Sequence, residues 1–141
     1  MQRILVPVDG SPSADHAVKH VIALSQIGAE VEVHLLHVQP PLVPRDVPDI
    51  AKPGLVERLG LDEADHAFAS AKRLLEAAGV RYSTRTEMED PAQQIALYAD
   101  VHGCSEIVMG TRGLGPIKSL VMGSVATKVL HLVKVPVTLV K

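Results

Sequence analysis

The sequence predicts an α/β fold in which helices cover both faces of a parallel sheet. Three observations carry this prediction. Short, branched apolar runs that read as strands alternate with segments of helical period. Turn and capping residues punctuate the junctions between them. The 141-residue chain is 47% hydrophobic and 21% charged, which supplies one core and excludes disorder as the main state. Regular strand–helix alternation implies parallel strands joined by right-handed crossovers. Residues 1–141 therefore read as a single domain.

In chain order, residues 3–8 (RILVPV) are continuously apolar, as in a strand buried on both faces, and Asp9-Gly10-Ser11-Pro12 ends the run. Ser11 suits a helix N-cap with Pro12 at the first helical position. Residues 13–26 then repeat Ala14, Ala17, Val18, Val21, Ile22 and Ser25 at three- and four-residue spacing before Gly28. Residues 30–38 form a second strand entering the sheet interior. Between Gln39 and Gly60 stand Pro40, Pro41, Pro44, Pro48 and Pro53 without sustained periodicity, so 39–60 is predicted to be an irregular surface loop, a candidate lid. Residues 61–78 are a second helix stopped by Gly79. Residues 81–88 alternate as a more exposed strand. Asp90-Pro91 caps a third helix reaching about His102, and 106–110 are a short buried strand. Residues 111–116 are a glycine-rich loop. Gly123-Ser124 opens a last helix to about Val133, and 136–141 form the final strand.

Composition removes several function classes. Aromatic residues are 2% of the chain with no Trp, so the stacking platforms of single-strand nucleic-acid binders are nearly absent. The net charge of −2 gives no basic footprint, and neither a nucleic acid nor a membrane is expected as a partner. The charge is unevenly spread. From Gly110 onward the charged residues are Arg112, Lys118, Lys128, Lys134 and Lys141, with no acid among them, so an anion site is expected in that last quarter. The lone Cys104 has no disulfide or metal partner, and no apolar run approaches the roughly 18 residues of a membrane span. A reducing, cytoplasmic location is the expectation.

Open parallel sheets bind ligands beyond the carboxyl ends of their strands. Pro7-Val8-Asp9-Gly10-Ser11, His37-Val38 and Met109 through Gly115 should meet there, joined by Gly123-Ser124. The strongest local signal is Gly110-Thr111-Arg112-Gly113 followed nine residues later by Gly123-Ser124. Glycines let a backbone approach a phosphate, and a helix start adds unpaired N–H groups and a favourable dipole. The same glycines also suit a plain βα turn, Asp9 suits its own Asp-Gly turn, and Ser124 suits an N-cap. Neither GxxxxGK[ST] nor GxGxxG fits, because Pro116-Ile117-Lys118-Ser119 follows Gly115. His16 and His20 stand one helical turn apart without a third ligand and read as a solvated face. His34 and His37 fall on opposite faces of a strand, and Cys104 reads as a structural thiol.

The spacing Gly110-x2-Gly113-x9-Gly123-Ser124, with Pro7-Val8-Asp9-Gly10-Ser11 near the start, Ile107-Val108-Met109-Gly110 before the loop and Pro136-Val137 at the last strand, resembles the nucleotide-binding branch of the universal stress protein (UspA) family. The resemblance covers essentially the whole chain. It implies a three-layer Rossmann-like fold of the adenine nucleotide alpha hydrolase type, with five parallel strands in the order 3-2-1-4-5. It also implies a bound adenine nucleotide, ATP, ADP or AMP, and a homodimer paired through the last strands. By position, Asp9 and the backbone of Pro7 and Val8 would hold the ribose or adenine side with Ser11 beside them, and Val38 would meet adenine. Met109, Gly110, Thr111, Arg112 and Gly113 would line ribose and phosphates, with Gly123, Ser124 and Val125 at the phosphate-binding helix start. Ala126 departs from the pattern, since ATP-binding members often carry a hydroxyl there. Magnesium would accompany the phosphates, with Asp9 or phosphate oxygens as ligands.

The expected function is that of a stress-response binding module, a switch in which the nucleotide sets the 39–60 loop and so the recognition of a protein partner. Hydrolysis would be slow at most. The alternative is a nucleotide hydrolase or adenylyl-transfer enzyme on the same sheet. Adenylyl-transferring relatives of this fold would show a His-x-Gly-His segment after the first strand, where this chain has Asp9-Gly10-Ser11-Pro12.

Overall fold

The computed structural model describes residues 1–39, 55–111 and 123–141, with backbone alone for 55–61. Strands and helices alternate through them: β1 (Gln2–Pro7), α1 (Pro12–Gln26), β2 (Val31–Gln39), α2 (Leu55–Ala78), β3 (Tyr82–Met88), α3 (Pro91–Val101), β4 (Glu106–Gly110), α4 (Ser124–Leu132) and β5 (Val137–Val140). All pairings are parallel, and the sheet order is β3-β2-β1-β4-β5, as the family resemblance implies. The chain steps outward from β1 to β3 and then restarts on the other side at β4. With right-handed crossovers, that reversal places α1 and α2 on one face and α3 and α4 on the other.

Each face has its own core. Ile4, Val6, Val33, Leu35 and Val108 pack under Ala17, Val18, Val21, Phe68 and Leu75 of α1 and α2. Leu5, Leu36, Ile107 and Met109 pack under Ile95, Tyr98, Ala99, Ala126 and Val129 of α3 and α4. Ile4, Leu5 and Val6 are all fully buried, which is why β1 reads as a continuous apolar run instead of an alternating one. The edge strand β3 is mostly exposed, in keeping with its polar alternation.

Helix starts follow their caps. The Ser11 side chain accepts from the Ala14 N–H at 3.2 Å, and the Asp90 carboxylate accepts from the Ala92 N–H at 3.1 Å. Each cap is followed by a proline in the first turn, where a missing N–H costs nothing. One boundary differs from expectation by more than a single residue. α2 begins at Leu55, so residues 55–60 are helical and not loop. Gly60 ends the expected loop, yet one glycine inside a helix costs only about 1 kcal/mol, which the rest of a 24-residue helix outweighs. Residues 40–54, and with them the lid expectation, lie outside the described residues.

Glu89 links β3 to the α3 cap with φ 85°, the left-handed region, and its N–H donates to the Gln39 carbonyl at 3.0 Å. A side chain in that conformation costs about 1–2 kcal/mol, partly offset by the greater chain entropy of glycine when unfolded. Glu89→Gly should therefore stabilise the protein by about 0.5–1 kcal/mol, read as a raised midpoint in urea with an unchanged slope. A lowered midpoint would show that the Glu89 side chain contributes more than its backbone strain costs.

Candidate functional site

The site begins where two strands part. Pairing between β1 and β4 runs through Ile4↔Glu106 and Leu5↔Ile107, and the carboxyl ends beyond that register separate. A cavity of about 40 Å³ opens there, lined by Pro7, Val8, Asp9, Ala14, Leu36, Val38, Pro91, Ile95, Met109 and Gly110. This is the reversal point of the sheet, the usual ligand position for such folds. Six sequence-predicted residues, Pro7, Val8, Asp9, Val38, Met109 and Gly110, come together at it.

The β1–α1 turn is tightly organised. Asp9 accepts the Ser11 N–H on Oδ1 at 2.9 Å, so the turn role foreseen for this carboxylate is realised. Gly10 takes φ 83° with the backbone of Ala67 and the ring of His66 close by, a conformation that favours glycine. The Ser11 hydroxyl oxygen accepts from α1 as its cap, so the residue orders the turn and is not among the lining residues of the cavity.

Gly110 is glycine for a reason the sequence does not display. A β-carbon there would stand 2.6 Å from the Ser13 carbonyl oxygen and would collide with its hydroxyl as well. The first turn of α1 therefore packs directly on the end of β4. Thr111, 7% exposed, continues the chain: its N–H donates to Val140 at 3.1 Å, and its carbonyl accepts from Gly123 at 2.9 Å. That second bond ties the start of α4 to the end of β4, while residues 112–122 between them lie outside the described residues. Arg112 and Gly113 fall in that stretch.

α4 differs from α1 and α3 at its start. The N-cap is Gly123, with no side-chain cap, and Ser124 is the first helical residue, so the plain N-cap reading of Ser124 is corrected. Ser124 is exposed, Val125 is half-buried against the α3–α4 core, and Thr127 donates to the Gly123 carbonyl at 3.1 Å. The early N–H groups of such a helix form an electropositive end.

Sequence reasoning missed Ala14, Leu36, Pro91 and Ile95 in the lining. Pro91 and Ile95 share one side of α3 at i,i+4 spacing, so the end of β3 contributes to the cleft along with β1, β2 and β4. The signal was available in Asp90-Pro91, a helix start directly after a strand.

The histidines separate as expected. His34 faces α3, with Nδ1 2.8 Å from the Tyr98 hydroxyl and Nε2 3.1 Å from Glu32. A carboxylate only accepts, so Nε2 carries the proton and Nδ1 accepts from Tyr98. Burial is the main cause that pushes the Tyr98 phenol up. His37 faces α2, edge-on to Phe68. No cluster of three metal-ligating side chains occurs among the described residues. Cys104 is 4% exposed and burial pushes its thiol up, which disfavours the reactive thiolate.

Comparison with known proteins agrees with this fold. The sequence model of the universal stress protein family matches residues 1–141. The chain is 30% identical over 142 residues to universal stress protein MJ0531 of Methanocaldococcus jannaschii, covering 99% of this chain and 82% of that protein. It is 31% identical over 158 residues to universal stress protein MJ0577 of the same organism, at 99% and 94% coverage. The solved MJ0577 structure superposes with a TM-score of 0.82, covering 99% of this chain and 95% of that one. The structure of the universal stress protein from Archaeoglobus fulgidus in complex with dAMP superposes with a TM-score of 0.72 at 22% identity, with coverage of 100% and 98%.

Proposed function

This chain belongs to the universal stress protein family, and from that premise we propose that it is an adenine-nucleotide-binding module whose ligand is ATP, ADP or AMP. The observation that carries the reading is the cleft at the sheet reversal, apolar along Leu36, Val38, Pro91 and Ile95 and bordered by Asp9 and Gly110, with the start of α4 tied through Gly123 to Thr111, the residue after Gly110. An apolar slot suits a base, a carboxylate suits a ribose hydroxyl, and a helix start without a side-chain cap suits phosphate. The dAMP in the Archaeoglobus fulgidus neighbour supports the same ligand class. Thr111, Gly123, Ser124 and Val125 would border the phosphates, together with Arg112 and Gly113.

Magnesium fits as an ion delivered with the phosphates. Asp9 is the one acidic side chain in the described lining, and one carboxylate plus phosphate oxygens is a common magnesium arrangement. Among the described residues the lining supplies no second acid or base to activate water, and the reading is a switch with at most slow hydrolysis. The nucleotide would act on a protein partner through the 39–60 segment. The unpaired Cys104 supports a reducing, cytoplasmic setting.

Two measurements test binding: chromatography of nucleotide released from freshly purified protein on denaturation, and calorimetric titration of Mg–ATP into the emptied protein. Recovered adenine nucleotide, or binding near −8 kcal/mol at about micromolar affinity, is expected. No nucleotide, no heat and no thermal shift would overturn the reading.

The hydrogen-bond pattern of β5 supports a homodimer paired through that strand. Ile107 and Thr111 donate to the carbonyls of Pro136 and Val140, so alternate residues of β5 face β4. The backbone of Val137 and Leu139 then faces the sheet's open edge, which is usually protected by pairing. Leu139→Pro deletes one outward N–H while sparing the rungs to β4. It should convert a dimer into a folded monomer in light scattering, and an unchanged dimer would exclude strand pairing.

A further inference from the structure

His37 precedes Val38 on β2 and is 4% exposed. Its Nδ1 lies 2.9 Å from the Val8 carbonyl. A carbonyl only accepts, so Nδ1 carries the proton and donates. Nε2 is then an acceptor, buried with no partner among the described residues. Leaving a buried polar atom bare is unfavourable, so apolar packing alone does not account for a histidine here.

The account lies at the other nitrogen. In the parallel β1–β2 ladder, the Val8 N–H donates to the Leu36 carbonyl at 2.9 Å. The next rung of a continuing ladder would run from the Val38 N–H to the Val8 carbonyl, and would pair Val8 with His37. The register instead ends at Pro7↔Leu36. The Val8 carbonyl is taken by the His37 ring, and both Val8 and Val38 line the cleft.

We propose that His37 is a positioning residue that holds the β1–β2 ladder open by one rung, keeping the Val38 backbone N–H for an acceptor on the edge of a bound base. The consequence for affinity rests on the nucleotide-binding reading, whereas the consequence for the ladder does not. His37 touches the ligand at no point in this scheme. It acts by occupying a carbonyl that would otherwise close onto Val38.

The test uses the full chain and two variants, His37→Leu, which has no donor, and His37→Asn, whose side-chain N–H can occupy the place of Nδ1–H. Hydrogen exchange of the Val38 amide is followed by NMR on nucleotide-free protein, and Mg–ATP affinity by calorimetry. In His37→Leu the rung should close, slowing Val38 exchange by about 10-fold or more and weakening Mg–ATP by about 10-fold. His37→Asn should stay within about threefold of the unmodified protein on both readouts. His37→Met replaces the leucine variant if that one does not fold. Unchanged Val38 exchange in the donor-free variant, or an asparagine variant that falls with it, would overturn the proposal. If the unmodified protein binds no adenine nucleotide, the functional reading fails, and the exchange comparison alone decides the role of His37.

Discussion

Gly110→Ala is expected to destabilise the protein by about 3 kcal/mol, a fall in Tm on the order of 10 °C, with or without nucleotide present. The added β-carbon would meet the Ser13 carbonyl carbon at 2.8 Å and its oxygen at 2.6 Å. Neither is the far end of a flexible side chain. Both belong to the first turn of α1, which Ser11 caps and Pro12 stiffens, and α1 is packed on β4. Relief would require moving the helix or the strand, and moving either one disturbs Val18, Val21 and Val108 in the core beneath. Gly123→Ala is the control: its β-carbon would find the Thr111 carbonyl oxygen at 3.6 Å, an ordinary contact, so the cost should stay within about 1 kcal/mol, that of a poorer N-cap. Differential scanning calorimetry of both variants decides the matter. Equal Tm losses would mean that the close approach of α1 to β4 is not what constrains Gly110.

Asp9→Ala is expected to weaken Mg–ATP binding by roughly 100-fold, about 2.7 kcal/mol, the size of a lost hydrogen bond to a charged group together with a loosened turn. Asp9 sits in the cleft lining and also accepts the Ser11 N–H at 2.9 Å, so the alanine variant would lose both the proposed ligand contact and the bond that shapes the β1–α1 turn. Asp9→Asn separates the two roles. Its amide oxygen can still accept from Ser11, while the negative charge that would hold magnesium is gone. If Asp9 meets the ion, Asp9→Asn should lose most of its affinity for Mg–ATP and little for AMP without metal. Equal losses for both ligands would place the Asp9 contact on the ribose, and no loss in either variant would remove Asp9 from the site. Calorimetric titrations of the two ligands into the two variants read all of these outcomes.

The sequence by itself determined the order of elements and most of their boundaries, because the relevant signals are local. Ser11-Pro12 and Asp90-Pro91 carry their caps within three residues, and the uniform apolarity of 3–8 follows from burial of Ile4, Leu5 and Val6 on two faces. It also brought Pro7, Val8, Asp9, Val38, Met109 and Gly110 to one sheet edge, since parallel strands place all their carboxyl ends on the same side. What only the tertiary structure decided depends on contacts distant in the chain. Gly110 reads as a phosphate glycine, yet its missing side chain answers to Ser13, nearly a hundred positions away. Residues 55–60 joined α2 although no sustained periodicity marks 39–60, because the cooperative length of the helix outweighs one weak residue, Gly60. Pro91 and Ile95 joined the cleft because the β3–α3 junction lies beside the end of β2, through the Glu89–Gln39 bond. The pairing of His37 with the Val8 carbonyl is likewise invisible in order of sequence, since a side chain replacing a ladder rung leaves no periodic trace; only the packed strands show which carbonyl it takes.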